Sequence, residues 1–114
     1  MFTVSDRKLL VEQRQAVRKI MRAKAMVVMD GAAPLPGRTL DIGTSGMSVA
    51  LAHKLPVGMM GQVSFELFLD GKPQIITCRC KVGYCIFSGD DFKIGFVFSN
   101  LELSVAASIN KFLR

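Results

Sequence analysis

Two short patterns in the sequence carry side chains that suit an anionic ligand. The first is Arg14-Gln15-Ala16-Val17-Arg18, in which two arginines stand four residues apart. The second is Asp41-Ile42-Gly43-Thr44-Ser45-Gly46, a turn-like run with one carboxylate and two glycines. A guanidinium is a planar fork that can hold phosphate oxygens, or two acceptors of a guanine edge, through paired hydrogen bonds. Asp41 offers only acceptors, so it can take the N–H groups of a guanine or fix an arginine.

The glycines of the second pattern, Gly43 and Gly46, can let the backbone approach a ligand closely and can adopt positive φ. The charge distribution supports the same region as an anion-binding surface. The 114 residues carry a formal net charge of +6 at pH 7, and residues 1–57 hold nine basic and four acidic side chains against six and five in residues 58–114. Such a balance favours nucleotides, nucleic acid or acidic lipid surfaces. Further candidate contacts are Lys19, Arg22 and Ser45.

The rest of the chain indicates short strands separated by turn residues. Alternating or short apolar runs predict strands over residues 25–29, 39–42, 47–52, 62–69, 75–87 and 92–98, with a bend at Gly83 in the fifth. Apolar residues at helical spacing predict a terminal helix over residues 101–113. A shorter helix is predicted over residues 5–13. Six strands with turns between them predict a mainly β protein, an antiparallel barrel with a C-terminal helix.

This pattern divides the chain into an N-terminal segment with a flexible, arginine-bearing arm (residues 1–24) and a barrel with its helix (residues 25–114). No run of about 18 apolar residues is present, so no membrane insertion is expected. The N-terminus lacks the apolar core of a signal peptide. The three cysteines are odd in number and close together, which favours a reduced, cytoplasmic setting over a disulfide framework.

The two patterns, in this order and about two dozen residues apart, resemble the signature of the PilZ family, R-x-x-x-R followed by [D/N]-x-S-x-x-G. A third resemblance is Phe92-Lys93-Ile94-Gly95-Phe96-Val97-Phe98 running into the terminal helix, which is similar to the closing G-x-x-F strand and helix of that family. The resemblance covers residues 12–114. It implies a six-stranded PilZ-type barrel, here as a standalone single domain.

The resemblance also implies a function. PilZ domains are non-enzymatic receptors for the bacterial second messenger cyclic di-GMP, so the expected role is a receptor or adaptor that changes conformation on binding. It would then regulate an unidentified effector protein in motility, biofilm or exopolysaccharide control. The implied ligand-binding residues are Arg14, Arg18, Asp41, Gly43 and Gly46. Gly43 departs from the family pattern, which has serine there, and the missing hydroxyl predicts weaker binding by one neutral hydrogen bond.

Two alternatives remain open at this point. One is a protein-interaction module of the same fold that binds no nucleotide, which Gly43 favours and the arginine pair and Asp41 disfavour. The other is a barrel that binds single-stranded nucleic acid, which is disfavoured because the basic residues precede the barrel. No catalytic set, metal site or cofactor is expected. A zinc site would need Cys85 and the lone His53 in addition to Cys78 and Cys80, and buried strand cysteines are the better interpretation. Tyr84 or Phe87 could offer a stacking face to a guanine.

Overall fold

Alternation of apolar and polar side chains along short strands produces a β-barrel in the computed structural model, which describes residues 17–114. One short strand, β1, precedes the barrel, and one helix, α1, follows it. The elements are β1 (Arg18–Ile20), β2 (Lys24–Met29), β3 (Leu35–Gly43), β4 (Gly46–Leu51), β5 (Met60–Leu69), β6 (Lys72–Ser88), β7 (Asp91–Phe98) and α1 (Leu103–Leu113).

All pairings between these strands are antiparallel, and they close into a ring. The order around the ring is β2, β3, β4, β7, β6 and β5, with β5 pairing back to β2. β1 lies outside the ring, and among residues 17–114 it pairs with β3 alone. Closure leaves no continuous open sheet edge among these six strands, which is how a small β protein avoids edge-to-edge association. The predicted six-stranded antiparallel barrel is confirmed.

The core is made by the inward-facing side chains of each strand. Along β5, Val63, Phe65 and Leu67 are at most 2% exposed, whereas the residues between them face outward. Burying one such side chain contributes about 1.5–3 kcal/mol, so the alternation fixes the register of the strand. A one-residue slip would turn the whole apolar set toward water.

The terminal helix lies against the barrel near β5 and β6, as its apolar face predicts. Ile109 is its one fully buried side chain within the described residues. Lys111 anchors the last turn through an ion pair with Asp70, at 2.5 Å between Nζ and Oδ2. The helix begins at Leu103, two residues later than predicted, because Asn100 takes a left-handed conformation and Glu102 is still extended.

All six barrel strands differ from the prediction in their limits, and β3 differs most at its start. β3 begins at Leu35 and so includes Pro36, which precedes the strand predicted over residues 39–42. Pro36 pairs with Met26 of β2, and β4 joins the other edge of β3 only from Gly37. A proline is tolerated at such a strand end, where one edge has no partner.

The predicted bend at Gly83 is confirmed, since the register between β6 and β7 shifts between Val82 and Tyr84.

Part of the predicted arm is a strand. Arg18–Ile20 forms β1, all three residues of which are exposed, and the buried Met21 follows it. Arg14 and the predicted helix over residues 5–13 lie outside the described residues. The barrel itself starts at Lys24, one residue before the predicted division of the chain. Within residues 17–114, no helix is both long and apolar enough to span a bilayer.

Candidate functional site

Strand β1 brings Arg18 to the start of the turn between β3 and β4. Its register places Arg18 opposite Gly43 and Ile20 opposite Asp41. The guanidinium of Arg18 donates to the carboxylate of Asp41, with 2.5 Å between Nη2 and Oδ1. The two patterns singled out in the sequence therefore meet through their charged side chains, although these are 23 residues apart.

Asp41 is partly withdrawn from water, and its side chain is 26% exposed. That burial raises the pKa of the carboxyl, but the hydrogen bond from Arg18 outweighs it together with smaller effects of Ser48, the Arg18 charge and Lys93. The net effect lowers the pKa of Asp41 below 3.8. At neutral pH the site therefore presents a full carboxylate that already holds one guanidinium.

The fully buried hydroxyl of Ser48 sits beneath this ion pair. Ser48 lies opposite Asp41 in the pairing of β4 with β3 and contributes to the low pKa of that carboxyl. Its Oγ nevertheless has no hydrogen-bond partner within normal distance and angle among the described residues. The interaction with Asp41 is thus a nearby dipole and not a formed hydrogen bond.

A groove of about 450 Å³ opens beside the ion pair on the outer face of the barrel. It crosses four strands, because β4 pairs with both β3 and β7 and β7 pairs with β6. Its lining includes the polar side chains of Arg18, Asp41, Ser45 and Lys93 and the exposed ring of Tyr84, whereas Phe96, which also lines it, is buried. The groove combines two cations, one carboxylate, one hydroxyl and one exposed aromatic ring, which is a set suited to a nucleotide.

The Tyr84 ring lies directly over Gly95 of β7. A Cβ atom at position 95 would overlap the ring carbons, so the glycine makes room for the ring. Tyr84 is 38% exposed and forms one wall of the groove. Phe87, the other aromatic proposed from the sequence, points into a different groove and does not line this one.

A family model described as PilZ domain matches residues 12–114. The chain belongs to the PilZ family. A search of curated proteins finds no match. Several solved structures share the fold.

The inhibitor of motility MotI/DgrA of Bacillus subtilis matches with a TM-score of 0.74 and 15% identity, over 84% of this chain and 47% of that chain. YcgR of Escherichia coli in complex with c-di-GMP matches with a TM-score of 0.70 and 18% identity, over 86% of this chain and 43% of that chain. The PilZ domain of the same YcgR with c-di-GMP gives 0.67 and 14%, over 89% and 88%. The chain spans less than half of the first two, and identities this low establish the fold alone.

The PilZ motif residues have distinct physical roles in this chain. Neither Gly43 nor Gly46 has positive φ, so the predicted conformational need does not arise. Space explains Gly46, because a Cβ there would overlap the carbonyl oxygen of Phe96. At Gly43 a Cβ would lie 3.2 Å from Cγ of Arg18, which is tight but adjustable. Gly46 lines the groove, whereas Gly43 does not.

The additional contacts predicted in the arm lie elsewhere in this structure. Lys19 donates from Nζ to the carbonyl oxygen of Phe112 at 3.1 Å and stands 4.5 Å from the centroid of the Phe112 ring. Arg22 is exposed and outside the groove lining. Their role in ligand binding stays a prediction, as does that of Arg14. Sequence reasoning missed Lys93, whose signal was its place in the G-x-x-F strand.

The cysteines occupy the barrel interior and one groove. Cys78 and Cys80 are buried on β6, and burial raises the pKa of their thiols to about 12 and about 11. Cys85 is partly exposed, and all three are free thiols. Across residues 17–114, no three His, Cys, Asp or Glu side chains come close enough together to hold a metal ion.

Proposed function

We propose that this protein is a cyclic di-GMP receptor that regulates a partner protein in bacterial signalling. The observation that carries the proposal is the Arg18–Asp41 ion pair at the edge of a groove that Tyr84 and Lys93 also line. Both charged residues come from the two PilZ motifs. The YcgR structures with c-di-GMP share the fold and support the choice of ligand class.

Arg18 and Asp41 supply complementary chemistry for this ligand. Cyclic di-GMP has two phosphates and two guanines, and a guanidinium can grip either a phosphate or the guanine edge. Asp41 can accept hydrogen bonds from the N–H groups of a guanine. In the free protein each residue satisfies the other, so the ligand must exchange one ion pair for new charge-assisted hydrogen bonds. Exchange of these contacts would release Arg18, which lies on β1, from Asp41 and so allow β1 to move on binding.

Tyr84 and Lys93 extend the site on the other side of the groove. A guanine can stack on the face of the Tyr84 ring, with a stabilisation of about 1–3 kcal/mol. Lys93 provides a mobile positive charge for a phosphate. Its charge already acts on Asp41. Ser45 adds a hydroxyl on the same lining.

The arm carries the conformational response. We assign residues 1–24 to an arginine-bearing arm and residues 25–114 to the barrel and helix. Arg14, Lys19 and Arg22 are the arm residues expected to contact the ligand when it binds, with Gly43 and Gly46 beneath them. A receptor of this kind does no chemistry, so its output is a changed surface that meets an effector protein. The three free thiols suit the reducing cytoplasm as its location.

Calorimetric titration with cyclic di-GMP tests the proposal, with GTP and GMP as control ligands. Arg14→Ala and Arg18→Ala are each expected to weaken binding at least tenfold, because a hydrogen bond to a charged group contributes about 1.5–3 kcal/mol. Wild-type affinity for GTP and GMP is expected to be far lower. Equal affinity of both variants and wild type would overturn the assignment of the site.

Arg79→Ala is the matched control for Arg18→Ala. Arg79 also pairs with an aspartate, Asp30, through two contacts of 2.9 Å, and its side chain is 47% exposed against 44% for Arg18. It does not line the groove. We therefore expect its loss to leave cyclic di-GMP affinity unchanged, which separates a lost ligand contact from a lost surface ion pair.

A second candidate function is a PilZ-fold interaction module that binds no nucleotide. Gly43 favours it, because the family serine is missing and Gly43 lies outside the groove lining. The titration separates the two functions directly. Absence of cyclic di-GMP binding by the folded wild-type protein would leave the interaction module as the function.

A further inference from the structure

The hairpin of β6 and β7 extends beyond the rest of the barrel. β6 pairs with β5 only as far as Lys81, but it pairs with β7 as far as Ser88. The loop before β5 covers the edge of β6 at Val82. Gly58 N–H donates a hydrogen bond to the carbonyl oxygen of Val82, and Val82 N–H donates one to the carbonyl oxygen of Met59. Within residues 17–114, no backbone hydrogen bond from another element reaches this edge of β6 beyond Val82. The last six residues of β6 therefore have one free edge.

The turn geometry tells which backbone groups lie along that edge. Ser88 and Asp91 flank the two-residue turn at Gly89 and Asp90 and pair with each other. In a two-residue hairpin the flanking pair exchanges hydrogen bonds, and the pairs alternate from there. The N–H and C=O groups of Cys85 and Phe87 consequently point away from β7, toward the free edge. Exposed groups of this kind are a template for a further strand.

The same two residues line an apolar groove on the inner side of the hairpin. The groove has a volume of about 560 Å³, and its apolar lining comprises Leu55, Pro56, Cys85, Phe87 and Phe92. Phe87 is 67% exposed, and its ring centroid is 5.3 Å from that of Phe92. The exposed ring of Phe87 and the partly buried ring of Phe92, beside open backbone groups, would fit the apolar side chains of an added strand.

The positive charge of Lys54 at this groove indicates what charge a bound segment should carry. Lys54 is the one charged side chain that lines it. Among the described residues, the three ion pairs use Arg18, Arg79 and Lys111, so Lys54 has no acidic partner there. An occupant with a carboxylate at this end of the groove would complement that charge.

We propose that the free edge of β6 at residues 83–88 binds an extended segment of a partner protein by strand addition. The segment carries apolar side chains at alternate positions and an acidic side chain that reaches Lys54. Tyr84 belongs to the same stretch of β6 and faces the nucleotide groove. The assignment of this edge as the output surface of a receptor rests on the proposed function, whereas strand binding itself does not.

A synthetic peptide tests the proposal by fluorescence anisotropy. The probe is a labelled nine-residue peptide in which valine alternates with threonine and an aspartate stands near one end. A control peptide has the same composition with its valines in one block. Two further versions are N-methylated on one or the other set of alternate amides. Binding is expected for the alternating peptide and for only one methylated version, because a strand uses every second N–H to pair with an edge.

Protein variants locate the binding surface. Phe87→Ser is expected to weaken peptide binding at least tenfold, since it removes the largest exposed ring of the groove. Phe68→Ser is the matched control, because Phe68 is 60% exposed on the other long hairpin and does not line the groove. Its affinity for the peptide is expected to equal that of wild type.

Several results would overturn the proposal: equal binding of both methylated peptides, equal loss in both phenylalanine variants, or a dimer in sedimentation that Phe87→Ser abolishes. The dimer would make a second copy of this chain the occupant. Titrating the same proteins with cyclic di-GMP separates the two ideas. Peptide binding without nucleotide binding defeats the receptor function alone, and nucleotide binding without peptide binding defeats this proposal alone.

Discussion

At the scale of single residues, the candidate site is a set of charges that already satisfy one another. Asp41 holds Arg18 in the free protein, and Lys93 adds a second positive charge nearby. An incoming phosphate or guanine must compete with these contacts. The energy of the exchange is small, because both side chains are partly exposed and such pairs contribute about 0–1 kcal/mol. A modest ligand contact can therefore displace the pair.

The ion pair predicts a pH dependence of stability. Because the folded pKa of Asp41 lies below its ordinary value of 3.8, the carboxylate stabilises the fold above that pH. This stabilisation is lost as the pH falls through the folded pKa. Asp41→Asn is expected to lower the free energy of unfolding by up to about 1 kcal/mol at pH 7 and by nothing measurable well below pH 3.8. Urea denaturation of both proteins across this range measures the difference, and a constant difference would contradict it.

Gly43 offers a second test, because serine is the family residue at this position. Its φ is not in the left-handed region, so serine is not strained there. The new Cβ would meet Cγ of Arg18 and the Val17 carbonyl oxygen at 3.2 Å, so the arginine side chain and the backbone at the start of the short, exposed β1 must both shift by a few tenths of an ångström. We expect Gly43→Ser to keep the fold and to tighten cyclic di-GMP binding by roughly two- to twelve-fold, the value of one neutral hydrogen bond.

The control for this substitution is Gly46→Ser. A Cβ at position 46 overlaps the backbone carbonyl of Phe96, which cannot move without separating β4 from β7. The melting temperature of this variant is expected to fall clearly, whereas that of Gly43→Ser stays close to wild type. Weaker binding by Gly43→Ser at unchanged stability would mean that the hydroxyl meets no ligand, and the function without nucleotide would gain support.

At the scale of elements, β1 is the described strand that is bound least tightly to the rest of the fold. It has three residues, all exposed, and within the described part of the chain it pairs on one side only, with β3. Every barrel strand pairs on both sides and contributes buried side chains. Elements with few buried contacts open most readily, and a ligand that bridges β1 to the groove would hold it closed. β1 is therefore the element that we expect to move if the proposed function is correct.

Amide hydrogen exchange tests this behaviour. Without ligand, the amides of Arg18–Ile20 are expected to exchange faster than those in the middle of β5. Saturating cyclic di-GMP is expected to slow exchange in β1 and to leave β5 unchanged, which makes β5 the internal control. Full protection of β1 in the free protein would contradict the proposed response of the arm.

The elements also show what the sequence could predict. β5 could be predicted because its apolar and polar residues alternate strictly, and Gly83 indicated where the pairing of β6 is irregular. β1 could not be predicted as a strand, because its residues do not alternate between buried and exposed and its strand conformation depends on the pairing with β3, which is distant in sequence. Pro36 misled the prediction for β3, because a proline is excluded from a strand interior but not from an end with one free edge.

At the scale of the whole molecule, closure of the barrel assembles the groove. Arg18 and Asp41 belong to the two PilZ motifs, so their proximity could be expected from the sequence. Lys93 reaches the site only because β7 pairs with β4 and β4 pairs with β3. The G-x-x-F pattern marks the strand that carries Lys93, but no local pattern encodes those two pairings, which explains why Lys93 was not assigned to the site. The same closure places Tyr84 over Gly95 and decides between the two aromatic candidates of β6.

Lys93 gives the last prediction, which concerns the electrostatics of the whole barrel. The net charge of +6 attracts a ligand with two phosphates, and salt screens that attraction, so affinity is expected to fall as salt rises from about 50 to 500 mM. Lys93→Gln removes the charge closest to the proposed phosphate position. It is expected to weaken binding roughly fivefold at low salt, the equivalent of about 1 kcal/mol, and to flatten the salt dependence.

Lys72→Gln is the matched control, because it removes the same charge from an exposed position on the β5–β6 hairpin, outside the groove. Calorimetry at several salt concentrations should show the wild-type slope for this variant, since only the distant, screened part of the field has changed. If both lysine variants lose the same affinity, then Lys93 acts through the net charge of the barrel alone. In that case the phosphates do not lie beside β7, and the ligand would be held by Arg18 and the arm on the β3 side of the groove.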